Sequence, residues 1–190
     1  MSPERPLWVA AGLLALASFV VLKVAARAGD SGPPTVRSAV PAGTKLFAEP
    51  NHDHVAGRVR YDHSPPAGGA HSSMWLECGV YDHAVRNELA VHSLEQGTVW
   101  ITYRPGLPSA AVARLRAFVV ASYRGPQRYL ILSPYPGLPE PIVASAWGAQ
   151  LGLERVGDPR LEQFVAHFAG TDQGGEPQGY CTGGAGTPVG

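Results

Sequence analysis

Three short segments carry the side chains best suited to chemistry: His71-x-x-Met74, Cys78, and the run His92-Ser93-Leu94-Glu95-Gln96-Gly97. Imidazole, thioether, thiolate and carboxylate are all metal-ligand groups, and within one helical turn His92 and Glu95 would face the same way. Six of the seven histidines, at positions 52, 54, 63, 71, 83 and 92, fall in one stretch, whereas His167 stands apart. That enrichment invites a metal reading. The expected centre is His71, His92 and Glu95, with Gln96 and Met74 as secondary members. Two nitrogens and one oxygen suit zinc or oxidised copper, and an inward Met74 sulfur would favour reduced copper. A local His–Glu polar pair that only braces a loop is the competing reading. His52, His54 and His63 read as solvated loop residues.

Other chemistries find less support. His92-x-x-Glu95-Gln96 lacks the second histidine of an H-x-x-E-H zinc-peptidase motif, and the run ends at Gly97 before a strand. Ser72, Ser73 and Ser93 have no nucleophile-elbow glycine pattern around them. Gly68-Gly69 is too little for a phosphate loop. Trp75, Tyr81, Trp100 and Trp147 lie in or beside apolar segments and read as core. Fifteen basic residues balance fifteen acidic ones, so no basic field exists to collect nucleic acid. An enzymatic activity is therefore not supported by any motif.

The elements that must hold these residues begin at Thr98. Thr98–Tyr103 is a dense β-branched and aromatic run that suits a buried strand. A helix follows, capped by Ser109, with Val112, Leu115, Phe118 and Val119 on one face. Strands are expected at Tyr129–Leu132 and Ile142–Trp147. A final helix has Asp158 at its N-cap, Pro159 at its first position and the stripe Leu161, Phe164, Val165 and Phe168. The predicted class is α+β, with a small mixed sheet in β-α-β-β-α order. A right-handed crossover would make the first two strands parallel, and a hairpin would add the third. The same order occurs in the second half of thioredoxin-like domains, although no C-x-x-C supports thioredoxin redox chemistry. Before Thr98 only short extended pieces such as Arg58–Tyr61 look regular, and the tail from Thr171 reads as loose apart from Cys181.

Compartment follows from the amino terminus. Leu7–Leu22 is sixteen residues without a charge, bounded by Arg5 and by Lys23 and Arg27. A bilayer core is crossed by ~20 residues, so residues 1–30 are expected to form a transmembrane anchor. The alternative is a cleaved signal peptide ending at Ala26-Arg27-Ala28. Either reading exports the remainder, through a Pro/Gly-rich tether at 31–50, to a domain at 51–186 and a short tail at 187–190. Two cysteines in an oxidising compartment have one intramolecular pairing, so a Cys78–Cys181 disulfide is expected. Its competitor is metal ligation by a reduced Cys78. A protein partner is not identified by the sequence; the membrane, through the N-terminal helix, and a copper or zinc ion are the partners it implies.

Pro65-Pro66 with Gly69-x-His71, Trp75-x-x-Cys78-Gly79-Val80-Tyr81, His92-Ser93-Leu94-Glu95-x-Gly97, and Ser133-Pro134-Tyr135-Pro136 with Ala146-Trp147-Gly148 occur in one order. Together they resemble the bacterial domain-of-unknown-function 3105 family over about residues 51–186. The resemblance implies an exported domain and supplies no activity. In the family pattern the segment reads H-S-L-E-H-G, so Gln96 stands where a histidine would make the better ligand.

Overall fold

The computed structural model describes residues 39–49, 51–123, 128–176 and 179–189. The expected anchor at 1–30 and positions 31–38 and 50 of the tether lie outside the described residues. Among the described residues no helix is long and apolar enough to cross a membrane.

In chain order the elements are β1 (Lys45–Leu46), β2 (Gly79–Val80), α1 (Asn87–Glu95), β3 (Val99–Tyr103), α2 (Ser109–Ala121), β4 (Leu130–Pro134), β5 (Ile142–Ala146), β6 (Ala149–Leu153) and α3 (Pro159–Phe168). The strands make one mixed sheet in the order β1-β6-β5-β3-β4-β2, so the α+β class holds. β3 and β4 are parallel, from Val99↔Leu130 to Tyr103↔Pro134, because α2 carries the chain back to the same end of the sheet.

The expected hairpin onto the second strand is not formed. β5 passes β4 and pairs antiparallel with the other side of β3, Trp100 opposite Ser145. The hairpin joins β5 to β6 instead, with Ala146 opposite Ala149 and Trp147-Gly148 between them. Gly148 turns at φ +65°, and a Cβ there would come within 2.9 Å of the Phe47 carbonyl oxygen.

Both faces of the sheet are covered, which explains the unbroken apolar run of β3. Val99 and Ile101 point into a core shared with Leu115 and Val119 of α2 and Phe164 and Phe168 of α3. Trp100 points the other way, into a second core with Val91 and Leu94 of α1, Leu76, Tyr81 and both cysteines. The Trp100 indole donates to Ser133 Oγ at 2.9 Å, which satisfies its one polar atom inside that core.

Several local expectations are corrected. α1 is a nine-residue helix rather than a single turn. Its N-cap, Arg86, makes no side-chain cap, and it buries Glu88, His92, Ser93 and Glu95 along with its apolar residues, so it shows no clean stripe. Ser109 is the first residue of α2, not its cap; Pro108 holds the N-cap position. Arg58–Tyr61 forms no strand, and the last part of the expected tether supplies β1, antiparallel to β6. Asp158 caps α3 as expected, its carboxylate accepting from the Arg160 amide at 3.0 Å.

Cys78 and Cys181 are joined in a disulfide, so neither thiol is available as a ligand. The tail it holds is packed rather than loose. Leu76 and Ala185 form a parallel bridge, the Val189 amide donates to the Val80 carbonyl at 2.7 Å, and Tyr180 stacks on Trp75 with ring centroids 5.8 Å apart.

Candidate metal centre

α1 brings its last turn across the second core, and with it His92, Glu95 and Gln96, all at or below 5% exposure. The loop ahead of it delivers the other members. The Val55 amide donates to the His71 carbonyl at 2.7 Å and the His71 amide to the Asp53 carbonyl at 2.9 Å, so His54 and His71 run side by side as a parallel bridge. The Ser72 amide then donates to the Glu88 carbonyl at 3.2 Å, which pins this pair to α1. Gly69, at φ +99°, lets the Pro-Pro-Ala-Gly-Gly-Ala segment double back so that its own carbonyl meets the His71 ring.

One donor atom from each of His54, His71, His92 and Glu95 lies within 4.8 Å of every other. His71 Nδ1 donates to the Gly69 carbonyl at 2.8 Å, and His92 Nδ1 donates to the Ser72 carbonyl at 2.8 Å. Each backbone acceptor requires the proton on Nδ1, which leaves the Nε2 lone pair for the interior. This is how proteins commonly orient a ligating imidazole from outside.

His71 Nε2 stands 2.9 Å from Glu95 Oε2. Both atoms are buried, and neither makes a hydrogen bond among the described residues. A carboxylate oxygen and a neutral imidazole Nε2 at that separation repel, and a proton or a metal cation between or beside them relieves the repulsion. Glu95 Oε1 meets His52 Nδ1 at 2.5 Å, and the His52 ring stacks on Trp147 at 4.6 Å. Burial holds the His92 imidazole below its ordinary range; the Ser72 carbonyl and Glu95 oppose that, while His71 and His54 add to it. A neutral imidazole is the ligating form.

The structure thus gathers His71, His92 and Glu95. Gln96 is adjacent, its amide nitrogen 2.8 Å from His92 Nε2 and its buried oxygen without a hydrogen bond. Met74 is 46% exposed. The reading of His52 and His54 as solvated loop residues missed their place: His54 is exposed but inside the donor group, and His52 bonds Glu95. Their signal was the spacing His52-x-His54, which puts two imidazoles on one side of an extended chain. His63 lies elsewhere, stacked on Phe47 at 3.9 Å, and His83 pairs with Asp82 at the surface.

The family described as protein of unknown function (DUF3105) matches residues 52–183, well over half of the chain. The chain belongs to the DUF3105 family. No curated protein matches it, and no solved structure does. The DUF3105 match spans every residue of the centre, from His52 to Glu95, and both cysteines of the disulfide.

Proposed function

We propose that this DUF3105 domain binds one divalent transition-metal ion, zinc or oxidised copper, through His71, His92, Glu95 and His54. The supporting observation is the pair of buried polar atoms, His71 Nε2 and Glu95 Oε2, 2.9 Å apart and without a hydrogen bond among the described residues. A cation on their shared side satisfies both. Three imidazole nitrogens and one carboxylate oxygen are a borderline donor set. Met74 is 46% exposed and both cysteines are oxidised, which favours zinc or oxidised copper over reduced copper. Zinc bonds of ~2.0–2.2 Å set tetrahedral donors about 3.4 Å apart, so the widest present separation, 4.8 Å, closes on binding. The Gln96 amide leaves His92 Nε2 at the same time.

We also propose that the domain lies outside the cytoplasm. Its support is the uncharged Leu7–Leu22 run, together with a disulfide of the kind that persists in oxidising compartments.

Calorimetry of the full chain with zinc and with oxidised copper tests the metal. One equivalent should bind with Kd below ~1 μM, about 8 kcal/mol. His71→Ala and His92→Ala should each weaken it at least tenfold, and His83→Ala should not. Binding no tighter than ~100 μM for either ion would leave a proton shared by His71 and Glu95, and a non-catalytic interaction domain, as the better account.

A further inference from the structure

The four donors of the centre are not held alike. His71, His92 and Glu95 are 0%, 4% and 3% exposed, and each is fixed by a partner on its far side: the Gly69 carbonyl, the Ser72 carbonyl and the His52 ring. His54 is exposed. Its backbone is tied to His71 through the bridge, but among the described residues no hydrogen bond fixes its ring. The ring only stacks on His92 at 5.1 Å and meets the edge of His71 at 5.0 Å. Rotation about its side-chain torsions therefore removes the imidazole from the group without breaking a single backbone pair.

Resting on the metal-binding reading, we infer that the centre is of the open kind. His54 is a displaceable ligand, and a small anionic oxygen or nitrogen donor from solvent takes its position. Structural zinc sites keep four fixed protein ligands, whereas sites that bind or transform a substrate keep three and leave one position exchangeable. Here two buried imidazoles and one carboxylate make the fixed three. A divalent ion with two neutral imidazoles and a single carboxylate retains one positive charge, so an anion is preferred over a neutral donor at the fourth position. Trp75, 6.0 Å from the His92 ring, and Trp147, 5.8 Å from the His71 ring, flank the group with apolar surface and restrict the newcomer to a small ion.

The test uses the full chain loaded with cobalt(II), whose visible spectrum reports its coordination, and azide as the anion. His54→Ala should hold cobalt within about tenfold of the wild-type affinity. Azide should shift its spectrum, with an apparent Kd at least tenfold below that for the wild type, where azide must first displace the imidazole. Loss of cobalt by His54→Ala as severe as that by His71→Ala would overturn the inference, because His54 would then be a fixed ligand. So would a variant spectrum that azide leaves unchanged. A wild-type chain that takes up no cobalt, zinc or copper overturns the metal reading itself, and the open site with it.

Discussion

Glu95 is the residue on which the two chemical readings diverge. Its Oε2 faces His71 Nε2 and its Oε1 accepts from His52, so the buried carboxylate lies between two imidazoles. Glu95→Gln keeps the shape and removes the charge. A glutamine amide can donate to His71 Nε2, so the domain should unfold within about 1 kcal/mol of wild type, while metal affinity falls at least a hundredfold. Urea denaturation and calorimetry on one preparation separate the two effects; a metal affinity that survives the change would remove Glu95 from the ligand set. The triad His71, His92 and Glu95 was legible because ligand-type residues clustered around one short run. His54 and His52 were not, because their role depends on a bridge between residues seventeen positions apart, which no local pattern encodes.

Among the elements, α3 and α1 show what local sequence can and cannot say. Everything that specifies α3 is local: Asp158 as the cap, Pro159 at the first position, and a stripe that buries Leu161, Phe164, Val165 and Phe168. The Arg160 side chain and amide hold the Asp158 carboxyl down at about 2, against an ordinary 3.8. Because the folded state lowers this value, the stabilisation is complete above pH 3.8 and disappears as pH falls toward 2. Asp158→Ala should cost about 1 kcal/mol at neutral pH. The difference between variant and wild type, followed by urea denaturation, should shrink from pH 5 to pH 2; a constant difference would mean the cap works without its charge. α1 announces nothing comparable, since two of its buried polar residues find their partners in distant backbone, Glu88 in the Val59 amide and Ser93 in the Leu76 amide. β6 was missed for a related reason: Gln150 and Gly152 are poor strand formers, and their pairing with β5 and β1 decides the outcome.

At the scale of the whole molecule, the segment after α3 closes the wall behind the centre. Gly174 lies so close to α1 that a Cβ would come within 2.4 Å of the Glu95 carbonyl oxygen and 2.5 Å of its Cα. At Gly179 a Cβ would come within 2.4 Å of Gln96 Cβ. The glycine-rich composition that suggested a loose tail instead permits backbone to press against a helix. Gly174→Ala should therefore destabilise the fold by about 1–3 kcal/mol and weaken metal binding through Glu95, both measurable by the denaturation and calorimetry described above. Unchanged values for both would show that the segment does not support the helix.

The disulfide spans 103 positions, and that distance has a consequence in time. His52, His54, His71, His92 and Glu95 all leave the ribosome well before Gly174 and Gly179, which press on the turn behind them. The turn that carries Glu95 packs against Gly174 and Gly179 of that later segment, so its support is the last part of the site to be synthesised. On the metal-binding reading, loading of the centre would therefore follow the packing of this late segment, in a compartment that supplies both the oxidant for the disulfide and the ion.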